Sequence, residues 1–144
     1  MKYLLDTCVI SEISKAYPEK RLLDWVKTVP PDRLFVCTIT IGEIRKGHAK
    51  LPNSKKKAKI AEWINCILED YKDRILPIDL VAAENWGEIQ GVSEIKGKAI
   101  STLDGLIASV ARVNNLVLVT RNVSDFEECQ VSIFNPWNLK QEQD

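Results

Sequence analysis

The chain has 144 residues, 45% hydrophobic and 28% charged, the balance of an ordinary globule that can bury a core without cross-links. Twenty basic side chains offset twenty acidic ones, so net charge says nothing about partners and a nucleic acid would have to be met by a local patch. The apolar opening is cut short at Asp6, and no run approaches the ~18 apolar residues of a membrane span, so a signal peptide and a membrane anchor are not expected and the expected location is cytoplasmic.

Strand and helix signals alternate along the chain. Tyr3-Leu4-Leu5 reads as a short buried strand ending at Asp6. Leu22, Trp25, Val26 and Val29 recur at helical spacing and stop at Pro30-Pro31. Leu34 to Thr38 is a second predicted strand, and Thr40 begins a helix that ends near Pro52. Ile60, Trp63, Ile64, Ile67, Leu68 and Tyr71 mark one face of the next helix. Ile75 to Ile78 reads as a strand, Asp79 as the cap of a helix through Trp86 and Ile89, and Gly91 to Gly97 as a loop or frayed end. Ser101 starts a further helix through Ala111, and the apolar run Leu116 to Val119 fits a central parallel strand covered on both faces. Val131 to Phe134 is a last strand. The expected fold is therefore α/β, a three-layer sandwich around a mostly parallel sheet of four or five strands, in one domain over residues 1–139 with a polar tail at 140–144.

In such folds ligands gather at the carboxyl ends of the strands. Asp6 follows the first strand, Glu43 lies in the expected first turn of the helix after the second, and Asp104 in the first turn of the helix before Leu116. Asn122 and Asp125 follow the Leu116–Val119 strand. Oxygen ligands sent to one edge suit a hard divalent cation, which takes few protein ligands and fills its shell with water and phosphate. Helix capping accounts for the same residues one at a time. Thr40-x-x-Glu43 and Ser101-x-x-Asp104 have capping-box spacing, and Asp6 could cap a short helix carrying Ile10 and Ile13.

Four segments bear on the choice. Tyr3-Leu4-Leu5-Asp6-Thr7-Cys8-Val9-Ile10-Ser11-Glu12 resembles the opening motif of PIN-domain toxins. Thr40 to Gly47 resembles their second acidic motif, Ser101 to Ala108 their third, and Val119 to Phe126 followed by Asn135-Pro136-Trp137 their closing segment. The resemblance implies the toxin of a virulence-associated type-II toxin–antitoxin pair, an endoribonuclease dependent on Mg²⁺ or Mn²⁺. It makes Asp6 and Asp104 the direct metal ligands and gives Glu43 a metal-bound water to hold. The fourth acidic position falls on Asn122, with Asp125 within reach of it, and Cys8 stands where an asparagine is common. The implied partners are an RNA substrate, a cognate antitoxin protein and a second copy in a homodimer, with DNA bound only through the antitoxin. Thr7 and Thr120 could hold carboxylates or phosphate oxygens, or simply cap strand ends.

The remaining residues have plainer readings. Seven basic side chains and no acid lie between Arg45 and Lys59; Lys55 to Lys59 read as a solvated face, while Arg45, Lys46 and Arg121 lie nearer the acids and suit RNA contact. His48, the only histidine, shares a stripe with Ile41, Ile44 and Leu51 and reads as packing, as do the tryptophans. Cys8, Cys37, Cys66 and Cys129 form no C-x-x-C and read as free, buried thiols. No phosphate-binding loop is present, and Cys8 occupies the place where a dehalogenase-type phosphatase needs a second Asp. The rival reading is a non-catalytic PIN-like module that binds nucleic acid or a partner.

Overall fold

The computed structural model describes residues 1–140, so all of the expected polar tail except Lys140 lies outside the described residues. Five strands form one sheet: β1 (Tyr3–Leu5), β2 (Leu34–Cys37), β3 (Ile75–Leu76), β4 (Val117–Val119) and β5 (Ile133–Phe134). Their order is β3-β2-β1-β4-β5 and every pairing is parallel. The chain winds outward from β1 through β2 to β3, then returns to the other side of β1 for β4 and β5. The crevice at which the winding reverses therefore lies between β1 and β4, where Leu4 pairs with Leu118 and Leu5 with Val119.

Alternation along the short strands feeds two cores. Leu4, Cys37 and Leu118 face α5 (Leu80–Ile95) and α6 (Thr102–Val113), packing with Ala82, Ile89, Ile107 and Phe126. Leu5, Val36 and Val119 face the other layer, with Val9 and Ile10 of α1 (Thr7–Ile13), Leu22 of α2 (Lys20–Thr28), Ile44 of α3 (Thr38–Ala49), and Ile64 and Ile67 of α4 (Lys55–Asp70). The expected three-layer arrangement is thus present, with all five strands parallel. Trp25 and Trp63 join the second core from its edge, and Trp137 is buried in it. No helix of the described residues is long and apolar enough to cross a membrane.

Several local expectations need correction. The Gly91–Gly97 segment is helical as far as Ile95 because Ile89 and Ser93 are buried against the first core, and packing outweighs the cost of Gly91. Gly97 is the true stop: at φ +70° it lets its own N–H reach Glu94 O and the Lys98 N–H reach Ser93 O, the two bonds of a left-handed helix terminus. Among the thiols only Cys37 and Cys129 are buried; Cys8 is half-buried and Cys66 is exposed on α4, though all four are free. The strands β3, β4 and β5 are each shorter than their apolar runs, since Pro77, Leu116 and Val131 lie outside the ladders.

Candidate active site

Asp6 is the residue at which β1 becomes α1, at the point of reversal. Its N–H donates to Val119 O at 3.0 Å, so the β1–β4 ladder itself fixes the backbone. One carboxylate oxygen, Oδ1, accepts the Thr7 N–H at 2.8 Å and caps α1. The other, Oδ2, accepts the Thr120 hydroxyl at 2.8 Å and the Cys8 thiol at 3.5 Å. Capping and a second role therefore coexist in one side chain that is 5% exposed. Burial raises the Asp6 pKa against the lowering pull of Thr120, Thr7 and Cys8, and the negative charge of Asp125 adds to the rise.

Glu43 is not in the first turn of its helix. Cys37 ends β2 and caps α3, its Sγ accepting the Ile39 N–H at 3.4 Å, so α3 starts at Thr38 and Glu43 falls in the second turn. The Thr40–Glu43 capping box does not form. Thr40 is fully buried, with its hydroxyl 3.1 Å from Thr7 Oγ1, and Thr7 donates to Glu43 Oε1 at 2.8 Å. A residue of α1 thus holds a carboxylate of α3.

The Ser101 cap does form: its hydroxyl accepts the Asp104 N–H at 3.2 Å. That bond uses the Asp104 backbone, and the Ser101 side chain also acts on the carboxylate. Burial raises the Asp104 pKa against the lowering pull of the Ser101 side chain, and the charges of Asp6, Asp125 and Glu43 add to the rise, in that order. These four acids from four separate elements share one field. Among the described residues none of them forms an ion pair. Asp104 and Asp125 share a cavity of about 390 Å³ with Ser101 and Ser124. Asn122 is exposed and enters the network through its N–H, which donates to Thr120 Oγ1 at 3.0 Å. Cys8 also lies 3.5 Å from Thr120 Oγ1, and burial followed by the Asp6 charge pushes its thiol pKa up, the reverse of what a nucleophile needs.

The donor set is all oxygen, partly dehydrated and, among the described residues, in no ion pair, and so suits a hard cation. Among the described residues no three His, Cys, Asp or Glu side chains close around one point. Mg²⁺ commonly takes one or two carboxylates and completes its shell with water and substrate phosphate, so two of these acids suffice.

The basic candidates are placed less uniformly. Arg45 and Lys46 are both exposed on α3; three residues beyond Glu43, Lys46 shares its side of the helix, whereas Arg45 does not. Arg121 lies over the Trp137 ring at 5.8 Å. Lys57 caps the end of the preceding segment by donating to Leu51 O at 3.0 Å. His48 lines a groove of about 290 Å³ between α1, α3 and α4, with Thr7, Glu43, Ile44 and Trp63. The sequence reading missed Thr40, which looked like a cap, and Gln90, whose anchoring of the loop before Ser101 has no local signature.

A family model for the PIN domain matches residues 3–129. The chain belongs to the PIN-domain family. It is 36% identical over 136 residues to the toxin FitB of Neisseria gonorrhoeae, covering 94% of this chain and 98% of that protein. It is 33% identical over 135 residues to the VapC ribonuclease Y4jK of Sinorhizobium fredii, covering 93% of this chain and 96% of the relative. The crystal structure of FitAcB from N. gonorrhoeae superposes with a TM-score of 0.89 at 36% identity, covering 95% of this chain and 99% of that one.

Proposed function

We propose that this PIN-domain protein is a metal-dependent endoribonuclease acting as the toxin of a toxin–antitoxin pair. One observation carries the reading: a buried carboxylate, Asp6, is fixed at the sheet's point of reversal, and Asp104 lies in the field of Asp6, Asp125 and Glu43, none of the four forming an ion pair among the described residues. The names of the ribonuclease and toxin relatives agree with it.

Asp6 and Asp104 would hold Mg²⁺ or Mn²⁺ directly, with Glu43 and Asp125 acting through water. When bound, the cation neutralises the cluster and polarises the scissile phosphate. The chain's own part is placement. Thr120, Thr7 and Cys8 hold Asp6 so that it does not turn away when charged. Thr7 fixes one oxygen of Glu43 and leaves the other to accept a proton from the attacking water. Lys46, and more remotely Arg45 and Arg121, would meet the RNA backbone, making activity fall with salt.

The groove beside Glu43 is a suitable seat for an antitoxin peptide, and its location would let one bound segment block the acids. Val81, Val92 and Ile95 share the outer face of α5, with Leu80 at its start, and are 62%, 43%, 89% and 74% exposed respectively; this is the face proposed for homodimerisation. Incubating the purified chain with transfer and ribosomal RNAs in Mg²⁺, Mn²⁺ or EDTA tests the enzyme reading. Cleavage that EDTA abolishes supports it. RNA binding without cleavage in any metal would establish the non-catalytic module instead.

A further inference from the structure

Helix α5 buries three polar side-chain atoms that lack partners among the described residues: Asn85 Oδ1, Trp86 Nε1 and Gln90 Oε1. Each bears a desolvation penalty that an aliphatic side chain would avoid, so stability alone does not account for them. The other end of Gln90 does. Its Nε2 donates to Ile100 O at 3.0 Å and to Glu94 Oε1 at 3.2 Å. Ile100 directly precedes Ser101, the residue that caps α6 and binds the Asp104 N–H. One amide on α5 therefore ties down the backbone from which the Asp104 helix starts.

Gly105, next to Asp104, tightens the same junction. A Cβ there would lie 3.0 Å from Trp86 Cδ1, 3.1 Å from Trp86 Nε1 and 3.2 Å from Gln90 Oε1. Glycine is a poor choice inside a helix, and the close approach of these two side chains supplies its reason. The exposed stretch Lys96–Ala99 has little else to hold it, apart from the helix-terminal bonds at Gly97 and Lys98 and the loose pairing of Lys96 and Lys98 with Glu128.

We infer that Gln90 is a positioning residue for Asp104: by fixing Ile100 it sets where α6 begins and so where the Asp104 carboxylate stands relative to Asp6. The inference rests on Asp104 being a metal ligand. Gln90→Met removes the anchor and one unpaired oxygen while nearly keeping volume, so the unfolding temperature of the metal-free chain should change little. Its Mn²⁺ dissociation constant, measured by titration calorimetry on the full chain, should weaken about tenfold, the scale seen when an outer-shell partner is lost. RNA cleavage should recover at saturating Mn²⁺, placing the defect in metal binding rather than in turnover. Gln90→Asn, whose amide falls one methylene short of Ile100, should show the same weakening and serves if the Met variant does not fold. Trp86→Phe perturbs the same interface with the anchor intact and should bind Mn²⁺ as the parent does. Parental affinity in both Gln90 variants, or equal weakening in Trp86→Phe, overturns the inference alone. A parent chain that binds no Mn²⁺ overturns the metal-site reading and this inference with it.

Discussion

Replacing Thr120 by Val tests whether Asp6 is held as a charged group. Thr120 is fully buried and Val is nearly isosteric, so the main loss is the 2.8 Å hydroxyl bond to Asp6 Oδ2. A hydrogen bond to a charged group is worth about 1.5–3 kcal/mol. The Asn122 N–H also loses its acceptor, but Asn122 is exposed and water can replace it. A loss of about 2 kcal/mol at pH 7 follows, or a fall in Tm of about 6 °C for a domain of this size. The pH dependence separates this from a packing defect. Burial already holds the folded Asp6 pKa above its ordinary 3.8, and Thr120 acts to lower it, so the variant's folded pKa is higher still. The folded state then binds the proton more tightly than the unfolded chain. Stability consequently falls as pH rises from about 3.8 through the folded pKa, and falls further in the variant. Urea unfolding should show the full gap at pH 7 and about 1 kcal/mol or less at about pH 3, below the ordinary 3.8, where Asp6 carries its proton and only a neutral bond is lost. Equal midpoints at pH 7, or the same gap at both pH values, would refute the reasoning.

Three further outcomes are expected. Asp6→Asn and Asp104→Asn should each lose metal-dependent RNA cleavage by at least about a hundredfold, since Asn keeps the cap and the shape but not the charge that holds a hard cation; thermal melts in EDTA should show both folded, Asp104→Asn no less stable than the parent, and full cleavage by both would remove these residues from the mechanism. Gly105→Ala gains about 1 kcal/mol in helix propensity but forces its Cβ to 3.0 Å from Trp86; overpacking costs about 1–3 kcal/mol, so net destabilisation of about 1 kcal/mol should appear in chemical unfolding, and a more stable variant would show the junction to be slack. Light scattering at tens of micromolar, about the range in which specific pairs form, should give a dimer that Ile95→Lys converts to monomer; a monomeric parent would retire the α5 face.

The sequence by itself determined the layers. Leu116 to Val119 is apolar on both faces and Tyr3 to Leu5 nearly so, which only a covered parallel strand tolerates, and the intervening 3.6-residue stripes demanded helices on both sides. The order of the acids was also legible, because chain order in a parallel sheet sends every strand's carboxyl end to one edge. What the sequence left open was whether an acid near a helix start is a cap or a ligand, since both need an oxygen at that place. Tertiary contacts decided which of them cap. The start of α3 moved to Thr38 because Cys37, held in the ladder, supplied the cap, and Glu43 was thereby released to Thr7. Asp6 proved to cap with one oxygen and to meet Thr120, 114 positions away, with the other. Helix α5 runs through Gly91 because burial of Ile89 and Ser93 outweighs local propensity. Gln90 acquires its role only once α5 lies against the residue that precedes α6. Periodicity reports which face of an element is buried, whereas a hydrogen bond across a hundred residues depends on distances that no local pattern encodes.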